Sequence, residues 1–577
     1  MKPNASLKHS MRNVPRIRWF FLCLALLSCF IQSAIADNRT VSIKKTLDTL
    51  LSSKQHPLLQ QTDFSGQMKD LLQLYRPNFR QLIWIGEGHS EKNLNDAIDI
   101  LNNAASDGLN PRNYDAEQLK QSLQQLKVLP QNDYQQMASY DLAISISLLR
   151  FLHDLHSGQI DPHSFNYPLP FGSTLPFNVV ALLKTHLDHL TVNELPQIVA
   201  PKTKQYQLLK EALASYRQQI DSEQHYKLSF PKSIKPGEMD IQIPALRRRL
   251  HEMGELTAQQ AEVSGVLELV YDDVSAAAII RLQQQQGLQA DGVIGRQTLV
   301  LLNQTINEKI ALIELAMERM RWLPELPVGP QIFVNIPAFQ LWAFNSPDDQ
   351  NAINMKVVVG KAEENQTPVL WQEMKYLEFM PYWNIPRSIM DKEIVPKMQA
   401  GRNYLSTQEI ELVERISNED SEEADNIIED LRYGRIRARQ LPGKKNPLGK
   451  VKFIFPNKDD VYLHDTPFRY AFNRDRRDLS HGCVRVADAE KLAEFVLGVQ
   501  QGWDKKAIEQ AMAGPKTQRV SLKKSIPVLF YYSTAYAGQD NKLRFYPDIY
   551  GYDVVLKNAI DKTANKIVVV KSTTVDG

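Results

Sequence analysis

The chain has 577 residues, 43% hydrophobic and 23% charged, with a mean hydropathy of −0.35; that is room for about three or four domains of roughly 100–200 residues, and too polar for repeated membrane crossing. Its 31 prolines and 25 glycines are ordinary and exclude a collagen-like or low-complexity chain. The net charge of +2 comes from the first 36 residues, where Lys2, Lys8, Arg12, Arg16 and Arg18 meet no acid; the remainder holds 63 basic against 66 acidic residues, which sets nucleic acid aside as a partner.

Residues 1–36 read as an export signal. A basic start leads into an apolar run from Trp19 to Ile31, and Ala34-Ile35-Ala36 supplies the small-x-small pattern for cleavage before Asp37. The run is short for a spanning helix of about 20 residues, with an uncleaved inner-membrane anchor as the alternative. Cys23 and Cys29 leave with the signal, so the mature chain keeps Cys483 alone and cannot close an internal disulfide.

Residues 37–235 form a helical region, with Leu142 to Leu155 a long apolar helix and turns at Gly108–Pro111 and Gly158–Pro162. His153, His156, Asp161 and His163 cluster there without the ligand spacing of a known site, so no metal is expected. Residues 240–304 predict three short helices. Ile243, Leu246 and Leu250 give one apolar stripe; Val274, Ala277, Ala278, Ile280 and Leu282 give another; Thr298, Leu299 and Leu302 close the unit. The order Leu246-Arg247-Arg248-Arg249-Leu250, Gly287-Leu288, Asp291-Gly292-Val293-Ile294-Gly295, Thr298 and Leu302-Asn303 resembles the peptidoglycan-binding domain 1 family, departing from it at Leu282-Gln283 where the family often has Phe-Gln, and implies glycan as a ligand.

From about 330 the pattern turns to β-branched strands, as in Ile332–Ile336 and Met355–Gly360. Residues 390–445 interrupt them. Ser406 with Glu409 is a capping-box signal for a helix at about 407–417. An acidic run (Glu419, Asp420, Glu422, Glu423, Asp425, Glu429, Asp430) then precedes a basic one (Arg432, Arg435, Arg437, Arg439, Lys444, Lys445). Two readings stand open: a solvated amphipathic helix, or a helical lid over a cleft that takes anionic substrate.

The chemistry gathers between Val461 and Val486. A lone exported cysteine that reacts needs a base, because the thiolate is the nucleophile; it needs donors for an oxyanion and a glycine that lets the substrate approach. His464 and His481 are candidate bases. The amides around Gly482 and Cys483 are candidate donors. Arg469, Arg474, Arg476 and Arg477 favour a thiolate, offset in part by Asp475 and Asp478. These residues alone predict a cysteine–histidine acyl-transfer enzyme.

His464, fifteen intervening residues, then Ser480-His481-Gly482-Cys483 resembles the signature of the L,D-transpeptidase (YkuD-type) catalytic domain. The likeness extends through Val358-Val359-Gly360-Lys361, Pro381-Tyr382-Trp383-Asn384-Ile385-Pro386 and Asn446-Pro447-Leu448-Gly449 to Asp548-Ile549-Tyr550-Gly551. It implies Cys483 as nucleophile and His464 as general base and later acid. A main-chain carbonyl, here that of Asp465, orients the histidine. His481, Gly482, Ser480 and Arg485 shape or support the site. Tyr382 and Trp383 are candidates for substrate contact, with core packing the competing reading. The implied substrate is a peptidoglycan stem tetrapeptide, cleaved between diaminopimelate and D-Ala. The acceptor is a diaminopimelate amine, giving a 3→3 cross-link without cofactor or nucleotide. Carbapenems would acylate the cysteine.

The layout also resembles the YcbB-type subgroup. The architecture expected is therefore a multidomain α+β chain: signal 1–36, helical scaffold 37–235, peptidoglycan-binding domain 240–304, mainly-β catalytic domain 330–553 with a helical lid at 390–445, and a C-terminal tail 554–577. The same resemblance implies a periplasmic protein that meets stem peptides, glycan and other cell-wall synthesis enzymes. Water as acceptor (an L,D-carboxypeptidase), attachment of an outer-membrane lipoprotein and a non-catalytic wall-binding protein are the alternatives. For a serine D,D-transpeptidase, Ser42–Lys45 and Ser521–Lys524 fit Ser-x-x-Lys by chance but Ser-Asp-Asn and Lys-Thr-Gly are absent, and for a zinc peptidase His-Glu-x-x-His is absent.

Overall fold

A computed structural model describes residues 39–572 apart from 77–80, 87–88, 129–132, 166–176, 221–225, 325–326, 347–348, 350–351, 401–402, 415–426, 499 and 539. The export signal, with Cys23 and Cys29, therefore lies outside the described residues. The chain divides into two compact units: residues 1–156, 176–200 and 561–577, and residues 157–175 with 201–560.

The first unit is helical. The helix Tyr134–Ser157 buries Leu142, Ile144, Ile146, Leu148, Leu149, Leu152 and Leu155 around its whole circumference, as a central helix must. Asp141 on it is buried as well. Its carboxylate accepts the Trp84 amide at 2.7 Å, the Ile83 amide at 3.0 Å and the Tyr75 hydroxyl at 2.7 Å, which offsets the cost of removing a polar group from water. His153 bonds Asp70 at 2.8 Å, and the His156 ring stacks on Phe177.

The second unit includes the helix Lys204–Gln218, whose Arg217 meets Glu314 of the helix Ile306–Arg321 at 2.6 Å. This helix thus groups with the catalytic half, although its sequence reads as part of the helical scaffold. The small helical domain buries Ile243, Leu246 and Leu250 as one stripe. The stripe expected on the helix Asp273–Gln285 is turned: Val274 and Ala277 face solvent, while Ala276, Ala278, Ile279, Leu282 and Gln283 are inside. Gln283 is the reason. Its carboxamide accepts the Gly292 amide at 2.9 Å and donates to the Val293 carbonyl at 3.0 Å and to Thr298 at 3.1 Å, so it holds the glycine turn from within.

Fourteen strands follow among the described residues: β1 Gln331–Asn335, β2 Gln340–Phe344, β3 Ile353–Gly360, β4 Leu370–Phe379, β5 Trp383–Asn384, β6 Ile410–Glu414, β7 Ile436–Gln440, β8 Val451–Ile454, β9 Leu463–His464, β10 Asp478–Ser480, β11 Val484–Val486, β12 Gln518–Tyr531, β13 Ala535–Ala537 and β14 Leu543–Phe545. Nine form one sheet in the order β10-β3-β11-β9-β8-β4-β12-β1-β2, and β2 pairs back onto β3, so the sheet closes on itself. Val334, Leu341, Val357, Val359, Leu377, Phe453, Leu463 and Val528 fill its core.

The insertion between β4 and β8 is not purely helical. Helical turns over Arg387–Ala400 and the helix Ile427–Tyr433 pack on a three-stranded sheet, β5-β7-β6. The capping-box reading fails here. Ser406 closes the short helix Tyr404–Thr407 and donates to the Asn403 carbonyl at 3.1 Å; Glu409 then takes a positive φ of 58°, and the chain leaves as a strand. Much of the segregated charge pairs within the insertion: Glu411 with Arg439 across the strand pair, Glu409 with Lys445 at 3.2 Å and Asp430 with Arg435 at 2.6 Å. Glu419, Asp420, Glu422, Glu423 and Asp425 lie outside the described residues. The C-terminal tail is helical over its described part, in the helix Tyr552–Ser572. Leu556 enters the catalytic core, and Asp553 bonds Arg319 and Thr534 at 2.5 Å each.

Candidate active site

Three short strands set the site. In β9, His464 lies opposite Arg485 of β11 on one side and Lys452 of β8 on the other. Side chains alternate along a strand, so paired residues and those two positions away share a face. Lys452, His464 and Arg485 therefore project from the same side of the sheet, and Tyr462 and Cys483 stand immediately before β9 and β11, with the Tyr462 ring 5.7 Å from that of His464.

His464 is 4% exposed, and its Nδ1–H donates to the Asp465 carbonyl at 2.5 Å, which leaves Nε2 as the acceptor. Burial, then the charge of Arg485, lowers its pKa to about 3; the carbonyl bond opposes this only in part. The resting imidazole is neutral at neutral pH. The Asp465 carboxylate is turned away, accepting the Lys450 amide at 2.9 Å and Arg469 at 3.3 Å. Gly449, at φ 60°, packs against that carboxylate where a Cβ would collide.

Cys483 is partly exposed as a residue, and burial of its thiol pushes the pKa up, opposed by Tyr462, Lys452 and Arg485. Its Sγ rests 3.8 Å from the carbonyl of Asp460, a residue at φ 51°. No hydrogen bond joins the His464 and Cys483 side chains among the described residues. The resting pair is a neutral thiol and a neutral imidazole.

The loop between β10 and β11 is tied from beneath. Ser480 Oγ accepts the Gly482 amide at 3.2 Å and donates to the Cys483 carbonyl at 2.6 Å. That engages one of the two amides considered as oxyanion donors. The Thr367 hydroxyl donates to the Gly482 carbonyl at 2.7 Å and accepts the Gly360 amide at 2.8 Å; the Tyr550 hydroxyl donates to the Gly360 carbonyl at 2.6 Å. Gly482 sits at φ 109°, where a side chain would strain the loop.

The remaining candidates disperse. His481 Nε2 meets Glu393 of the insertion at 2.7 Å, both half-exposed. Tyr382 lies under the Arg439 guanidinium, 4.2 Å from its centroid, and Trp383 pairs with Gln440 in the small sheet, so both belong to the insertion. Three arginines of the arginine-rich loop are engaged elsewhere. Arg477 is buried against the Val357 and Phe339 carbonyls, Arg476 pairs with Asp478 at 2.8 Å, and Arg469 pairs with Asp465. The cations that act on Cys483 are Lys452 and Arg485.

Sequence reasoning missed Lys452 and Tyr462. Tyr462 is legible as the residue two before His464, immediately ahead of β9. Lys452 needs the β8–β9 register, which no local pattern encodes.

A cysteine on the glycine loop that leads into β11, beside a buried histidine oriented by a carbonyl, has the parts of a cysteine-dependent acyl-transfer centre. Residues 329–521 match the family described as "L,D-transpeptidase catalytic domain", residues 242–302 the "Putative peptidoglycan binding domain" and residues 69–213 the "Scaffold domain". The chain therefore carries a YkuD-type L,D-transpeptidase catalytic domain, a peptidoglycan-binding domain and an N-terminal scaffold domain. A "Putative L,D-transpeptidase" of Haemophilus influenzae is 34% identical over 276 residues, 46% of this chain and 54% of that protein, so the match spans about half the relative's length. Among solved structures, an L,D-transpeptidase from Xylanimonas cellulosilytica is 13% identical with a TM-score of 0.16, covering 53% of this chain and 100% of its own. A fused Zn-dependent amidase/peptidase/peptidoglycan-binding domain-containing protein from Clostridium acetobutylicum is 14% identical with a TM-score of 0.15, covering 52% and 100%.

Proposed function

We propose that the protein is an exported peptidoglycan L,D-transpeptidase that forms 3→3 cross-links, with Cys483 as nucleophile and His464 as base and then acid. The observation that carries this reading is the buried, oriented histidine beside the cysteine. His464 Nε2 is left unprotonated by the Nδ1 bond to Asp465, two residues along the sheet from a cysteine on a tied glycine loop.

In the first step the thiol proton passes to Nε2 and the sulfur adds to the diaminopimelate carbonyl of a donor tetrapeptide. The tetrahedral oxyanion collapses, D-Ala leaves with the proton from His464, and a thioester remains. The side-chain amine of an acceptor diaminopimelate then attacks, and Cys483 is released as the thiol. The cations Lys452 and Arg485 on the same face favour the anionic sulfur and oxygen that form on the way. Peptidoglycan stem peptides and glycan are the partners in this reading. The periplasm is the place of action, where other cell-wall enzymes also work.

Intact-protein mass after mixing with a carbapenem tests the nucleophile. A stoichiometric adduct on the wild type and none on Cys483→Ala is expected; an unmodified, folded wild type overturns the assignment. Purified tetrapeptides then separate cross-linked dimers from tripeptides, the products of transfer and of hydrolysis.

A further inference from the structure

The neutral histidine leaves the sulfur without a charged partner. An imidazolium could have balanced a thiolate, but burial and two neighbouring cations hold His464 unprotonated. The positive charge on this face must come from elsewhere. Lys452 lies opposite His464 in the β8–β9 ladder, and its ammonium stands 3.9 Å from the ring centroid of Tyr462. Tyr462 in turn adjoins the cysteine: its carbonyl accepts the Val484 amide at 3.0 Å, and its ring meets that of His464 at 5.7 Å. A lysine seated on an aromatic face in a half-buried site is held by the ring quadrupole as well as by its stem.

We propose that Lys452 is a positioning residue of this centre: its ammonium, seated on the ring of Tyr462, is a fixed positive charge that, beside Arg485, stabilises the Cys483 thiolate as the proton leaves. The inference rests on Cys483 being the reacting thiol. The groups that act on that thiol are Tyr462, Lys452 and Arg485; the carboxylates of Glu378 and Asp460 act in turn on Lys452, and that of Glu393 on Arg485. Among these, Lys452 and Arg485 are the cations, and neither is hydrogen-bonded to a carboxylate among the described residues. Glu378, opposite Lys452 in the β4–β8 pairing, and Asp460 favour its charged form against the desolvation that opposes it.

The test is the pH dependence of Cys483 alkylation by iodoacetamide, an uncharged probe, on the full chain, with peptide mass separating Cys483 from Cys23 and Cys29. Lys452→Met is expected to move the midpoint upward by about one pH unit and to slow alkylation near pH 8 by roughly tenfold, with the thermal melt unchanged. Lys452→Arg is expected to restore the midpoint, and Lys452→Gln to behave as Lys452→Met, so a folding failure of one variant leaves two others to read. An unmoved midpoint in folded Lys452→Met or Lys452→Gln overturns the proposal. So does an arginine variant that melts like the wild type yet keeps the raised midpoint. Alkylation needs no stem peptide, so a shifted midpoint in a protein that never cross-links tetrapeptides would refute the transpeptidase reading and leave this inference standing.

Discussion

The sheet and the insertion approach Cys483 by different physics. The sheet does so through backbone ladders and buried bonds: β9 between β8 and β11, the Nδ1 bond of His464, and the chain from Tyr550 through Gly360 and Thr367 to Gly482. Each buried group in that set would cost about 1–3 kcal/mol to leave unpaired, so the arrangement has little freedom to drift. The insertion touches the same loop through Glu393 and His481, both half-exposed. Such a pair contributes roughly 0–1 kcal/mol and is screened by salt. Precision therefore belongs to the sheet, and adjustability to the insertion.

The sharpest test of that contrast is His464→Gln. A loss of turnover of about a thousandfold is expected, because the proton acceptor is gone while the fold remains. The same variant reports on burial. In the folded protein the pKa of His464 is about 3 against an ordinary 6.5, so the unfolded chain takes up the proton first as pH falls. Stability linked to this group is complete above pH about 6.5 and is lost on descent towards about 3. Urea midpoints at pH 7 and pH 4 should show the wild type losing on the order of 3 kcal/mol more than the glutamine variant. Equal losses would mean that the imidazole is not held neutral by the sheet.

Gly449→Ala strikes the same region from behind. The residue sits at φ 60°, and its new Cβ would enter the Asp465 carboxylate. A destabilisation of about 2–3 kcal/mol is expected from backbone and overlap together. Turnover should fall beyond what the melt explains, since Asp465 also carries the carbonyl that orients His464. Ser480→Ala is milder, about 1–2 kcal/mol, because it removes the acceptor of the Gly482 amide and the donor to the Cys483 carbonyl. Calorimetry beside turnover separates the two effects.

The same division governs what the sequence made legible. Ile243, Leu246 and Leu250, or Val357 and Val359, are cores that hydrophobic period alone locates. The Ser480–Cys483 segment and His464 were visible because local chemistry and spacing mark them. Lys452 was not, since its place depends on strand register, a non-local property. The insertion misled because Ser406 and Glu409 fit a local helix signal, whereas pairing of Glu411 with Arg439 across two strands decides the outcome. Gln283 turned the helix Asp273–Gln285 for a similar reason: a buried carboxamide outweighs Val274 when it satisfies a glycine turn.

Glu393→Gln should have the smallest effect, and it is the variant that can break the contrast. Removing one charge from an exposed pair is expected to change melting by less than about 1 kcal/mol and turnover by less than roughly threefold at physiological salt. The residual effect should shrink further at 1 M salt, where the screening length falls to about 3 Å. A tenfold loss in kcat/KM at constant melt, persisting at high salt, would be a different result. A screened surface pair cannot supply the roughly 1.4 kcal/mol that tenfold requires. The Glu393 carboxylate would then be meeting substrate rather than only His481, and the insertion would share with the sheet the task of placing groups at Cys483.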